Sequence, residues 1–171
     1  VWVTDFPMFE YSETAGRYTS MHHPFTAPLD EHVDMFQGTD EELGSMISKG
    51  YDLVLNGVEI GGGSIRIHKP DIQQRAFKAL GLSEEEVEEK FGYFVDAFKF
   101  GAPPHGGLAF GVDRILATME GIASIREFIA FPKTASASSL MEKCPSAVAP
   151  EQLQDVHIGL AGSALREQEE E

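Results

Sequence analysis

The run Tyr51-Asp-Leu-Val-Leu-Asn-Gly-Val-Glu-Ile-Gly-Gly-Gly-Ser-Ile-Arg-Ile-His68 constrains this chain more than any other stretch. Asn56-Gly57 lies between alternating apolar runs, and both residues accept positive φ. The spacing therefore predicts a hairpin with a two-residue loop. In that register Leu55 faces Val58, Val54 faces Glu59 and Leu53 faces Ile60. Alternation puts Leu53, Leu55, Val58 and Ile60 on a buried face and Asp52, Val54 and Glu59 on the other. Asp52 and Glu59 become diagonal neighbours, roughly 7–8 Å apart between backbones. Like charges that close repel unless a cation sits between them. Hard cations such as Mg2+ are bound by one or two carboxylates plus substrate phosphates. The hairpin thus reads as one wall of a metal–nucleotide site, with a plain solvated surface hairpin as the simpler alternative.

The same parity argument predicts an irregularity. An unbroken second strand would place Ile65 and Ile67 on the carboxylate face and Arg66 in the core. One extra residue within Gly61-Gly62-Gly63, a β-bulge, reverses that assignment. Ile65 and Ile67 then join the core, and Arg66 joins Asp52 and Glu59. Three glycines also allow a ligand or another backbone to approach closely.

A second motif is Gly107-Leu-Ala-Phe-Gly-Val-Asp-Arg114. Small and apolar residues alternate along a strand, and an acid–arginine pair then opens a helix. Val112, Ile115, Leu116 and Met119 follow at helical spacing, up to Gly121. Arginine at such a junction suits phosphate, since its forked donors lie beside the positive helix end. The stretch resembles the third signature motif of class II aminoacyl-tRNA synthetases. Met21-His-His-Pro-Phe-Thr26, Glu59-Ile-Gly-Gly-Gly-Ser-Ile-Arg-Ile-His68 and Gly101-Ala-Pro-Pro-His-Gly106 make the resemblance specific. From about Trp2 to about His157, the chain is similar to the C-terminal part of a bacterial-type aspartyl-tRNA synthetase catalytic domain.

That resemblance implies an α+β fold, a mostly antiparallel sheet backed by helices. It implies residues 1–158 as the C-terminal half of the catalytic domain and 159–171 as an acidic tail. It implies ATP and Mg2+ as cofactors, with Asp52 and Glu59 on the metal and Glu59, Gly111, Val112, Asp113 and Arg114 on ATP. Arg66 matches the arginine that pairs with the side-chain carboxylate of L-aspartate, and His22 and His23 match a pair beside that pocket. Ser64 and Gln73 or Gln74 would support the pocket from behind. The implied activity is aspartate activation followed by transfer to tRNA, in a homodimeric enzyme. Two alternatives are a paralogue that spends the same adenylate on asparagine synthesis and a non-catalytic module derived from the synthetase.

The first and second motifs of the family do not occur in this sequence, and the second would supply the arginine that grips the α-phosphate. The chain opens at Val1 in a strand-like run, Trp2-Val-Thr-Asp-Phe-Pro-Met-Phe9, as a truncated piece would. The expectation is half of an active site, inactive alone. Its charge of −15 over 171 residues and its scattered basic residues leave no electrostatic footprint for nucleic acid. Most tRNA contact is therefore expected in parts that this sequence lacks. Apolar runs such as Phe128-Ile-Ala-Phe131 are far too short for a bilayer. Cys144 is the lone cysteine, so no disulfide framework exists. No membrane association and a cytoplasmic location are the expectation.

Local signals place the helices. Thr39-x-x-Glu42 is a capping box before Leu43, Met46 and Ile47. Pro70 suits a first helical turn, with Ile72, Ala76, Phe77 and Leu80 as its buried stripe before Gly81. Ser83 caps a helix whose Glu84, Glu85 and Glu86 favour the positive end. Val87, Phe91, Phe94, Val95 and Phe98 form its apolar face, which reads as core. The stretch from Cys144 to Gln154 reads as loop. As strand neighbours, His22 and His23 would point to opposite faces, which argues against joint ligation of one ion.

Overall fold

The structure, a computed structural model, describes residues 1–159. The acidic tail expected over 159–171 lies outside them apart from Gly159. The chain forms two compact units that divide between Phe128 and Ile129.

In the first unit, the strand-like opening breaks in two. Strand β1 is only Trp2–Val3 and β2 is Phe9–Ser12. Between them Asp5 has φ 61° and Pro7 has no N–H to continue a ladder. Strand β2 makes an antiparallel hairpin with β3, Arg17–Ser20. A 3-10 segment, Asp30–Gln37, leads to helix α1, Asp40–Ser45, where Thr39 and Glu42 form the expected capping box. The helix stops before Met46, which turns extended and is fully buried.

Strands β4, Gly50–Leu55, and β5, Val58–Ile65, form the predicted hairpin. Asn56 at φ 50° and Gly57 at φ 77° make its two-residue loop. Helix α2, Pro70–Ala79, starts on its proline, and α3, Glu84–Phe98, starts on a Ser83–Glu86 capping box. Strand β6, Gly106–Phe110, runs into helix α4, Val112–Glu120, which Gly121 ends at φ 70°. The main sheet has the order β1-β4-β5-β6 and every pairing in it is antiparallel. The α+β class expected from the sequence is therefore observed. In the second unit, α5, Pro150–Asp155, lies in the stretch expected to be loop, with proline at the start of its first turn. Phe128 closes a 3-10 turn and forms no strand.

The core is not where the hairpin pattern put it. It lies off the main sheet, where Met8, Phe9, Phe36, Met46, Ile67, Ala76 and Leu80 pack together. Burying side chains of that size contributes about 1.5–3 kcal/mol each. Phe25, Phe77, Phe91, Phe94 and Phe98 extend it as a chain of edge-on and stacked rings, so the α3 stripe is core as expected. Leu55 and Val58, in contrast, are 42% and 41% exposed, and Leu53 and Ile60 are half-buried. Apolarity alone therefore does not make that face core. The α4 residues Val112, Leu116 and Met119 are likewise exposed.

Candidate functional site

Register decides the site. Leu55 pairs with Val58 and Val54 with Glu59, as parity requires, but Leu53 then pairs with Gly61. The extra residue is Ile60, opposite the Leu53–Val54 step. The bulge therefore exists but sits one residue ahead of the glycine run. Gly61, Gly62 and Gly63 pair regularly on both sides, with β4 and with β6. The physical reason is close packing against β6. A Cβ on Gly63 would sit 1.9 Å from the Gly107 carbonyl oxygen, and one on Gly61 would sit 2.8 Å from Phe110 Cδ1. The glycines are needed inside the ladder, so the irregularity falls where a side chain is tolerated.

The parity consequence survives the shift. Asp52 now faces Gly62, and Ser64 follows on that face. Arg66, beyond the strand and bridged to Thr26, lines the same cavity as Asp52 and Glu59. Of the two isoleucines expected in the core, Ile67 is buried, whereas Ile65 lies on the open apolar face.

The cavity, about 430 Å3, is walled by both carboxylates, the three glycines, Ser64 and Arg66, with His22, His23 and Thr26 at one end and Ala109 to Gly111 and Arg114 at the other. Gly62 marks its floor. A Cβ there would lie 2.5 Å from Asp52 Oδ1 and 3.3 Å from Glu59 Oε1, so the two acids converge over one residue that has no side chain. This is a hard-oxygen donor set with room left for water or phosphate oxygens, and it fits Mg2+. Among the described residues no group of three or more His, Cys, Asp or Glu gathers around one point. A protein cage is therefore not what these carboxylates form.

Arg114 lies over the acidic end. Its guanidinium donates to the Glu59 carbonyl oxygen at 3.1 Å and lies 3.6 Å from the Glu59 carboxylate. Both side chains are half exposed, so the pair itself is worth little. Val112 and Asp113 open α4 beside it. Gly111 lines the cavity, whereas Val112 and Asp113 do not.

The opposite end is the loop from Met21 to Thr26. Residues 21–25 are bend and turn rather than strand, so the expectation that strand alternation separates His22 from His23 does not apply. Both histidines line the cavity. Three contacts hold the loop. Gln73 donates to the Pro24 carbonyl at 2.8 Å, Phe25 inserts among Phe77, Phe91 and Phe94, and Phe6 meets the His22 ring edge-on at 5.0 Å. Gln73 is buried and Gln74 exposed, so of the two it is Gln73 that touches the loop. Arg66 Nη1 reaches His23 Nε2 and lies 3.1 Å from Nδ1. Burial first, and the Arg66 charge next, hold His23 below its ordinary pKa, so the ring is neutral near pH 7. Thr26 is the residue that sequence reasoning passed over. It was legible only as the last position of the Met21–Thr26 run.

Residues 1–135 match the family model for class II tRNA synthetases (D, K and N). The chain belongs to that family. An aspartate–tRNA(Asp/Asn) ligase of Heliobacterium modesticaldum is 55% identical over 159 residues, which is 93% of this chain and 26% of that protein. An aspartate–tRNA ligase of Xanthomonas campestris is 56% identical over 158 residues, covering 92% of this chain and again 26% of the relative. The chain thus spans about a quarter of the length of these family members. Among solved structures, an Entamoeba histolytica aspartyl-tRNA synthetase matches with a TM-score of 0.56 at 22% identity, over 81% of this chain and 23% of that one. The asparaginyl-tRNA synthetase of the same organism, in complex with asparaginyl-adenylate, matches at 0.57 and 23% identity, over 81% and 26%. At such identities these two support the fold alone. Among the described residues no helix is long and apolar enough to cross a membrane.

Proposed function

We propose that this segment is the third-motif half of the catalytic domain of an aspartate–tRNA ligase. In that enzyme L-aspartate is activated with ATP and transferred to tRNA. The single observation that carries the reading is a cavity with two carboxylates converging over Gly62 and two arginines and two histidines on its walls. The identities of 55% and 56% to two such ligases support it independently.

The chemistry asked of the residues is positioning and charge neutralisation. The α-carboxylate oxygen of aspartate attacks the α-phosphorus of ATP, the bond to the β-phosphate oxygen breaks, and pyrophosphate leaves. Arg66 holds the side-chain carboxylate of aspartate by its fork, and the extra methylene of glutamate would misplace that group. His22 and His23 line the amino-acid end. Arg114 lies where the terminal phosphates would leave, with Gly111 lining that end and Val112 and Asp113 opening the helix that carries Arg114. Asp52 and Glu59 would hold Mg2+. When bound, the ion offsets negative charge on the phosphates. Transfer to tRNA, a homodimeric assembly and a cytoplasmic location belong to the same reading, with most tRNA contact outside this segment.

Aspartate-dependent ATP–pyrophosphate exchange by the full-length chain tests the proposal. Exchange with aspartate, and charging of tRNA with it, are the expected results; exchange with another amino acid or none overturns the reading. Residues 1–171 alone, which lack the second motif, are expected to give no exchange.

A further inference from the structure

Among the described residues, one buried side-chain polar atom has no hydrogen-bond partner, the Oε1 of Gln73. The residue is 1% exposed and lies on α2, whose other buried residues are Ala76 and Phe77. Its amide has a single workable orientation. The Pro24 carbonyl only accepts, so the NH2 group faces it at 2.8 Å and Oε1 points away. Turning the amide over would set two oxygens against each other. An unpaired buried acceptor costs more than one neutral hydrogen bond returns. For folding alone, an apolar side chain of the same length would therefore serve better at this position.

What the amide does gain is a hold on one place in the chain. Pro24 directly follows His22 and His23, and both rings line the cavity. The chain on either side is fixed by other means. Before the pair, the Met21 N–H donates to the Met8 carbonyl at 3.0 Å. After it, Phe25 sits among Phe77, Phe91 and Phe94. The Phe25 carbonyl accepts from the Ile67 N–H at 2.9 Å, and the Ala27 N–H donates to the Ile65 carbonyl at 2.9 Å. The two histidines span the gap between these fixed points. Gln73 grips the chain within that gap, from the segment that carries Arg66 into α2.

We infer that Gln73 is a positioning residue for the amino-acid end. From α2 it fixes the Pro24 carbonyl, and through it the placement of the histidine pair in the cavity, at a cost in stability. This rests on the reading of that end as the aspartate pocket. A residue that only held the fold together would lose stability and function together once its hydrogen bond was removed. A positioning residue with an orphan acceptor loses function while stability holds or rises.

The test is Gln73→Met in the full-length chain, which keeps length and burial and removes both amide groups. Its chemical-denaturation midpoint is expected to equal or exceed that of wild type. KM for aspartate is expected to rise about three- to tenfold, the equivalent of one neutral hydrogen bond, with kcat and the ATP KM within about twofold. Hydrogen exchange read by mass spectrometry should quicken over residues 21–26 and stay unchanged over α2. Gln74→Met, at the exposed neighbour, should match wild type in every reading. A lower midpoint for Gln73→Met, or its failure to fold, overturns the inference, because the amide would then be serving the core. So does an unchanged aspartate KM, an equal loss in kcat, ATP KM and aspartate KM, or unchanged hydrogen exchange over residues 21–26. If wild type supports no aspartate-dependent pyrophosphate exchange, the functional reading fails. The midpoint and the hydrogen exchange then still decide whether Gln73 holds the loop at a cost in stability.

Discussion

The two faces of the β1-β4-β5-β6 sheet obey the same alternation rule and end in opposite conditions. One carries Asp52, Glu59, Gly62 and Ser64 and is enclosed by loops and helix ends into a cavity. The other carries Trp2, Leu55, Val58, Ile65 and Leu108, and every one of these is substantially exposed. The polar face is organised because its partners are close in the chain or reach it as side chains: a hairpin, a glycine run, a strand-to-helix turn. The apolar face gains its energy only when another surface lies on it, since hydrophobic stabilisation is proportional to area removed from water. The lesson is that a pattern fixes which residues share a face, and neighbours decide what that face is worth.

The largest expected effect comes from the glycine that belongs to neither face's chemistry. Gly63→Ala would push a methyl into the β6 backbone, 1.9 Å from the Gly107 oxygen. A cost of at least about 3 kcal/mol in chemical denaturation is expected, because backbone cannot step aside as a side chain can. Next is Arg66→Lys in the full-length chain, which keeps the charge and loses the fork. KM for aspartate should rise about 10- to 100-fold with ATP affinity almost unchanged; equal losses in both would assign Arg66 to holding the sheet. Gly62→Ala should separate site from scaffold. Its methyl meets Asp52 Oδ1 at 2.5 Å, a flexible carboxylate end, so stability should change by no more than about 1 kcal/mol. Binding of ATP with Mg2+ should weaken at least tenfold, the scale seen when a metal ligand's surroundings are disturbed. Titration calorimetry checks the second number, and an unchanged affinity would remove the convergence argument.

A smaller effect is a pH dependence confined to the polar face. His23 is held below its ordinary pKa by burial and then by Arg66. The unfolded chain takes up this proton near pH ~6.5, the folded chain only at lower pH. Between those two values the unfolded state binds more protons, so stability should fall as the pH drops through that window. Denaturation midpoints of wild type and His23→Gln should diverge above the window and approach one another below it; parallel curves would mean that folding leaves the His23 pKa unchanged. The smallest effect belongs to the apolar face. Val58→Thr on the 171-residue chain should shift stability by no more than about 0.5 kcal/mol. A cost above about 1 kcal/mol for the same change in the full-length chain would show that the face is covered there.

Much of the fold was legible because its signals are short. The Thr39 and Ser83 caps, Pro70 at a first turn, Gly121 at a helix end and Asn56-Gly57 in a hairpin loop act over one to four residues and appear where they were expected. The carboxylate pair was legible for the same reason, since a two-residue loop sets the register of its neighbours. The helix over Pro150–Asp155 was missed because the surrounding Pro- and Gln-containing stretch reads as loop. His22 and His23 both line the cavity because residues 21–25 do not form a strand, which no alternation pattern in the sequence shows.

By itself, then, the sequence determined which residues turn, which begin helices, and that Asp52 and Glu59 share a face, through backbone preferences and hydrogen bonds that close within a few residues. Tertiary structure decided three other things. It placed the extra residue at Ile60, because β6 packs too closely on Gly61 and Gly63 to admit it there. It put the core around Met46 and Ile67 rather than under Leu55 and Val58. It brought His23 and Thr26 to Arg66 and Ser64, about forty residues away along the chain. Each of these depends on contact between distant segments, and no local preference encodes the distance at which two such segments come to lie.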